Sequence, residues 1–229
     1  MSKQWQTPYL ALLIGLLLSA CVTASDKPMP YKAWHLGFFA PDYMEAWIET
    51  ADAVDIHGQI FRGAGGGVVS IGYPTAFNGQ EVPKSFKGTP QGWPKNPGAG
   101  DGRDVTGSEL PKLVYVRWQS LAEPQTYEAY IEIPESARLM MLQGEKAYCR
   151  YDDKWITDYR RILSIGLAPG GVAKAWLSAP CLAPVEITRV VGTVDPRGPY
   201  EGKSGGRHRP LSATSKAYVE RFGIPYGSW

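Results

Sequence analysis

Between Leu113 and Ile133 apolar and polar residues alternate with a period of two. That is the mark of a half-buried strand, because successive side chains point to opposite faces of a sheet. Val114, Val116 and Trp118 share one face, and Tyr115, Arg117 and Gln119 share the other. Beyond Pro124, Tyr127, Ala129, Ile131 and Ile133 alternate with Thr126, Glu128, Tyr130 and Glu132. The two runs predict an antiparallel hairpin. With Leu121 opposite Thr126 and a loop over 122–125, Trp118 meets Ala129 and Val116 meets Ile131. Gln119 then meets Glu128 and Tyr115 meets Glu132, so one face is apolar and the other polar. Arg117 falls diagonal to Glu128 and Glu132, where a cross-strand ion pair is the plainest use of its charge.

Other stretches carry weaker periods. Trp34, Leu36 and Phe38 alternate with His35 and Gly37 and predict an opening strand that Pro41 ends. Residues 44–50 and 53–60 read as two further strands, the first with a short helix as its alternative. One more strand is expected over 67–73. Between Gly58 and Pro111 stand 13 Gly and 6 Pro, and from 74 to 111 no period is sustained. A connection that long is uncommon in a compact domain unless it has a function or is disordered. It is expected to lie across the surface, with Phe77, Phe86 and Trp93 as apolar anchors. Ile133, Ala137, Met140, Met141, Gly144 and Tyr148 recur at helical spacing after Pro134 and predict a helix over 135–147. A second hairpin is expected from 159–167 and 172–178 around Ala168-Pro169-Gly170-Gly171, followed by a last strand over 184–194. Ser212 is an N-cap for a helix over 213–222 with Ala217, Tyr218 and Phe222 inward, and an aromatic tail docks at Trp229. The pattern is about eight short strands and two helices: mainly β, or α+β, with an antiparallel, sandwich-like sheet in a single domain over 31–229.

Composition narrows the picture. The 229 residues, 44% of them hydrophobic with eight Trp, suffice for one core. A net charge of +2 without a basic stripe gives no reason to expect nucleic acid. At the start, Lys3 precedes an apolar run from Leu10 to Leu18 that is too short to span a membrane, which takes about 20 residues. Residues 1–20 therefore read as a signal peptide. The run ends in Leu18-Ser19-Ala20-Cys21, which resembles the bacterial lipobox. That resemblance implies a lipidated Cys21, a membrane partner through its acyl chains, and a tether over 21–30. Val22 in place of Asp after the cysteine favours the outer membrane, facing the periplasm. In an oxidising compartment Cys149 and Cys181 are candidates for a disulfide, with two buried free thiols as the alternative.

The residues that could carry chemistry do not converge. Gly202-Lys203-Ser204 ends like a phosphate-binding loop, but Arg197 stands where that motif needs its first Gly. Gly65-Gly66-Gly67 lacks dinucleotide-binding spacing, and no nucleophile elbow or zinc-binding helix motif is present. His57 lies close to Asp55, and Glu45, Glu49, Asp52 and Asp55 form an acidic stretch that reads more simply as a solvated edge. The loop from Arg197 to Arg209 is basic. No catalytic residue, metal or cofactor is assigned. Trp93, Phe86, Arg197 and Arg207 are the candidates for contact with a partner.

Four segments taken together, residues 33–41, 109–134, 162–177 and the PYGSW ending, resemble the bacterial lipoproteins grouped as domain-of-unknown-function family 2931. The pattern Trp118, Ser120, Leu121, Glu123, Tyr127 is the most specific part. The resemblance implies a Gram-negative envelope lipoprotein and offers no catalytic residues to carry over. Some similar small lipoproteins are immunity proteins against periplasmic toxins. The expected function is thus a non-enzymatic protein-binding module of that kind. The alternatives are an assembly lipoprotein binding cell-wall polymer or secretion apparatus, and a hydrolase with a scattered site.

Overall fold

The alternation around Trp118 builds the centre of one of two packed sheets. The structure, a computed structural model, describes residues 28–70, 76–77, 80–81 and 88–229. The elements run β1 (Ala33–Phe39), β2 (Ala46–Asp55), β3 (Ile60–Val69), β4 (Ala76–Phe77), β5 (Gln80–Glu81), β6 (Asp101–Thr106), β7 (Pro111–Ser120) and β8 (Gln125–Glu132). Then follow α1 (Glu135–Leu142), β9 (Gly144–Cys149), β10 (Lys154–Tyr159), β11 (Ile162–Ala168), β12 (Val172–Ala179), β13 (Leu182–Val191), β14 (Thr193–Val194) and α2 (Ala213–Phe222). One five-stranded sheet has the order β13-β12-β11-β1-β6, the other β14-β8-β7-β2-β3. Every pairing is antiparallel except β1 with β11. The chain is mainly β, as its pattern predicted.

The core lies between the sheets. Trp34, Leu36 and Phe38 of β1 and Leu163, Ile165 and Leu167 of β11 face Ile48 of β2 and Val114, Val116 and Trp118 of β7. Each large side chain fully buried there stabilises the fold by about 1.5–3 kcal/mol. Met141 and Ala137 of α1 close the core at one end.

The β7–β8 hairpin has the predicted faces in a different register. Trp118 pairs with Tyr127, Val116 with Ala129 and Val114 with Ile131, so the turn takes 121–124. The shift is two residues along β8, which leaves every side chain on its predicted face. Residues 44–60 differ more. They form one strand, β2, and the start of β3, because a bulge inserts Glu49 between Ile48, opposite Trp118, and Thr50, opposite Arg117. The bulge moves the buried positions from Ala46 and Ile48 to Ala51 and Ala53, breaking the period of two that a sequence pattern detects. β3 occupies 60–69, starting seven residues before the expected strand, and 71–73 lie outside the described residues.

Within 74–111, β6 pairs along β1. Its sequence, DGRDVT, buries only Val105, so the backbone ladder holds it and no apolar pattern announces it. The predicted helix over 135–147 ends at Leu142, and 144–149 turns back as β9 against β10. Tyr148 is therefore 45% exposed rather than inward. β11 begins at Ile162 rather than 159. α2 starts after Ser212, whose hydroxyl accepts the Ser215 N–H, as expected. Ser215 is its buried position, with Tyr218 stacked on Tyr43 at 4.2 Å, while Ala217 and Phe222 face outward. The tail docks as expected: Trp229 is buried and its indole donates to the Pro90 carbonyl at 2.7 Å.

The last strand crosses from one sheet to the other at Gly192, between β13 and β14. A Cβ there would lie 2.8 Å from both the Glu128 carbonyl oxygen and the Trp118 ring. Since the carbonyl belongs to the β8 ladder, it has little room to yield. Gly192→Val is expected to lower stability by about 1–3 kcal/mol, an overpacking cost, seen as a lower denaturant midpoint. An unchanged midpoint would mean that the crossover relaxes freely.

Candidate functional site

Arg117 and Gln119 sit on the polar face of β7, yet they are 2% and 0% exposed. The loop after β14, residues 195–209, covers them. The β2 bulge aims Glu49 at both: its carboxylate accepts from Arg117 Nε at 2.7 Å and from Gln119 Nε2 at 2.8 Å. It also accepts the backbone N–H of Tyr200, in the covering loop, at 2.9 Å. Arg117 donates from Nη2 to the Gly198 carbonyl at 2.6 Å, and its Nη1 is paired with the Asp195 carboxylate. Gln119 Oε1 accepts the Arg209 N–H at 2.7 Å. The Arg209 guanidinium lies 3.8 Å from the centre of the Trp47 ring, a cation–π contact. Thr126 Oγ1 lies 3.3 Å from His208 Nε2.

Two carboxylates around one guanidinium, each also bonded to a neutral partner, satisfy groups that would be costly to bury alone. Asp195 is held below the usual carboxylate range, first by the side-chain hydrogen bond from Arg197, against the cost of burial, and further by the Arg117 and Arg197 charges. Burial lowers the His208 imidazole from its usual value, so it stays neutral at pH 7. The loop's own backbone is strained: Tyr200 and Glu201 stand at φ +53° and +56°. Such left-handed non-glycine residues cost about 1–3 kcal/mol each and persist only where the surroundings impose them. Here Glu49, Arg117 and the Ser204 hydroxyl, which donates to the Pro199 carbonyl at 3.2 Å, impose them.

What the network holds in place is a basic outer surface. From 195 to 209 there are four cations, Arg197, Lys203, Arg207 and Arg209, against the two carboxylates of Asp195 and Glu201. The Lys203 side chain is 79% exposed and Arg197 55%, and Arg207 is exposed as well. Arg197 is committed to Asp195 through Nε at 3.0 Å and Nη2 at 2.9 Å. Lys203 lies 3.5 Å from Glu201. Arg207 is left facing solvent on a fixed backbone.

The other sequence candidates are dispersed. Trp93 packs inward, 5.7 Å from Phe39 and 5.3 Å from Trp176, over a Gly166 whose Cβ would strike it at 2.3 Å. It pins the loop to the body as expected, and its ring is committed to the fold. Phe86, Cys21 and residues 1–27 lie outside the described residues. Cys149 and Cys181 are bonded, with Cα atoms 4.9 Å apart.

The acidic stretch is neither a dyad nor a solvated edge. Glu45 accepts from Ser212 N–H at 3.0 Å and Ser215 Oγ at 2.7 Å at the start of α2. Asp52 accepts from Gly63 N–H at 2.9 Å, and Glu49 belongs to the network. Asp55 is 2% exposed. Burial works against its charge, but the N–H groups of Glu109, Gln59 and His57 and the Ser108 hydroxyl hold its carboxyl below the usual range. It meets His57 through the backbone N–H, at 2.9 Å. A carboxylate so occupied fixes a turn and is not available to orient a base. Among the described residues no group of three or more His, Cys, Asp and Glu could hold a metal, and no helix is long and apolar enough to cross a membrane.

Sequence reasoning missed the joining of Glu49 to Arg117, which depends on the bulge. It also missed the exposed aromatic side chains of β9–β10. The one available signal was the Tyr-Cys-Arg-Tyr-Asp-Asp-Lys-Trp run over 148–155, aromatic residues around an Asp-Asp turn.

A family model described as protein of unknown function (DUF2931) matches residues 22–227. No curated protein and no solved structure matches the chain.

Proposed function

Because the chain belongs to the DUF2931 family, whose description names no activity, we propose a function from its geometry: a non-enzymatic, membrane-tethered module that binds a protein with an acidic face. The observation that carries this reading is the covering loop. A buried ion-pair network and a strained left-handed turn fix it, and it presents Lys203 and Arg207 to solvent. A fixed loop loses little conformational entropy when a partner docks, and clustered cations steer an acidic surface toward it. The carboxylates Glu45, Glu49 and Asp55, which could have served a hydrolase, are tied into the α2 cap, this network and a turn. The lipobox-like ending at Cys21 supports anchoring at the outer membrane, facing the periplasm. An immunity protein that occludes a toxin delivered by rival cells is the specific form proposed.

The test is contact competition on a solid surface against a toxin-delivering parent. A deletion strain should be lost and the wild-type gene should restore it. Lys203→Glu/Arg207→Glu should fail to protect at equal protein level and equal melting temperature, since reversing two exposed charges costs at least about tenfold in affinity. A deletion strain that survives equally, with delivery shown to be active, overturns the immunity form. Full protection by the double variant removes the loop from the interface.

A further inference from the structure

The β9–β10 hairpin stands outside both sheets, pairing only with itself. Two strands alone are marginal in water, and attachments at both ends hold this pair. At its base Arg160, 8% exposed, grips Glu145 through Nε at 2.7 Å and Nη2 at 3.2 Å and also donates to the Ala183 carbonyl. At its tip Cys149 is bonded to Cys181, in the β12–β13 turn. The hairpin so held displays aromatic rings to solvent: Tyr151 is 87% exposed, Trp155 71% and Tyr148 45%, with Tyr148 and Trp155 edge to face at 5.8 Å. Among the described residues no other tryptophan has so much open surface. Lys146, Arg150 and Lys154 are exposed in the same hairpin, Lys154 on the face opposite the Tyr148–Trp155 pair, and the Asp153 carboxylate at the turn accepts from the Tyr148 hydroxyl.

The position of this face relative to the incoming chain names its occupant. Tyr31, three residues after the first described one, lies 6.0 Å from Tyr159 at the hairpin base and donates to the Met141 carbonyl just before β9. The same residue lines a cleft of about 560 Å³ with exposed Lys32 and Arg161 and with Pro180, next to the disulfide. Tyr31 thus seats the entering chain at the base of the hairpin, and Pro28 and Met29 before it line a second cleft with Asp55, His57 and Gln59. From Cys21 to Pro28 seven residues reach at most about 25 Å. A lipid on Cys21 would thus hold this end of the domain close to the bilayer.

We propose that the Tyr148, Tyr151 and Trp155 face rests in the headgroup region of the membrane that anchors the chain, with Lys32, Lys146, Arg150 and Arg161 against lipid phosphates. Tyr and Trp suit that layer because one end of each ring is apolar and the other hydrogen-bonds, and cations near an anionic leaflet add attraction. The domain then sits on the membrane at a set orientation instead of swinging on its tether. The proposal rests on the lipid-anchor reading of Cys21 and is independent of which protein the basic loop meets.

The test uses the mature, lipidated chain in phosphatidylethanolamine–phosphatidylglycerol vesicles whose lipids carry bromine near the headgroup or at mid-chain. Mass spectrometry of the same sample reads the acyl groups on Cys21. The expected result is quenching of tryptophan emission, stronger for shallow bromine, with most of it missing in Trp155→Phe. Equal quenching of the two proteins on acylated Cys21 overturns the membrane contact and leaves the anchor standing. An unmodified Cys21 overturns both. A Trp155 emission shift with soluble peptidoglycan fragments and no response to bromolipid overturns the proposal in favour of a glycan platform.

Discussion

Replacing Arg117 by leucine is expected to lower the stability of the domain by about 3–5 kcal/mol, the usual cost of removing one partner from a buried charge cluster. The magnitude follows from what is left behind. Glu49 and Asp195 each lose their shared cation, and their side chains are only 5% and 2% exposed. Water cannot replace the guanidinium without opening the loop, so the loop opens or the two charges stay buried with one partner fewer. The Gly198 carbonyl loses its donor as well. Chemical denaturation at pH 7 checks the value, and a loss under about 1 kcal/mol, the range of a surface pair, would show that the network is solvated after all. A double-mutant cycle with Glu49→Gln should return a coupling within the 0.5–3 kcal/mol typical of contacting residues.

The same network has an acid limit whose sign is fixed. Asp195 is held below its ordinary value in the fold, so its contribution is fully present above the unfolded carboxyl value of about 4. It is lost as pH falls through the depressed folded value. Asp55 acts in the same direction. In the Arg117→Leu protein one of the charges favouring ionised Asp195 is gone, so stability should fall less steeply with acid than in the wild type. A parallel acid slope in the two proteins would assign the wild-type slope to Asp55 and other carboxylates.

Whether a feature was legible in the sequence depended on whether it left a period. The faces of β7 and β8 were legible because alternation survives a register shift of two, and the register itself was not, since both alignments put Val114, Val116 and Trp118 inward. α2 was legible from its cap, although its buried side was misplaced. At Glu49 a bulge shifts the phase of β2, so one strand read as two. β6 carries no apolar pattern because its backbone does the pairing. The polar face of β7 looked solvated for a general reason: Arg117 and Gln119 are polar whether water or a distant loop covers them. The covering loop returns from 195 onward, far along the chain, and nothing local to 117 announces it. The disulfide was one of two readings of a cysteine pair in an expected oxidising compartment, and the hairpin it holds was not legible, since residues 133–148 also fit a helical spacing.

Replacing Cys149 and Cys181 together by serine should cost about 3–4 kcal/mol, the chain-entropy value for a cross-link between residues 32 apart. The loss should be uneven. The link spans β10, β11 and β12, so releasing it loosens the unfolded chain as a whole, and that part appears as a lower denaturant midpoint. In the folded state β11 and β12 keep their places in a five-stranded sheet, while β9–β10 keeps only attachments at its base, the Arg160 clamp and the Tyr31–Tyr159 ring contact among them. Amide exchange over 148–155 should therefore accelerate far more than exchange in β7 or β11, because a two-stranded tip without its bond opens locally. Dithiothreitol should lower the midpoint of the wild type toward that of the variant and leave the variant unmoved. If the variant keeps the wild-type midpoint, the bond contributes no net stability. If its tip amides exchange no faster, the attachments at the base hold the aromatic face in position without the bond.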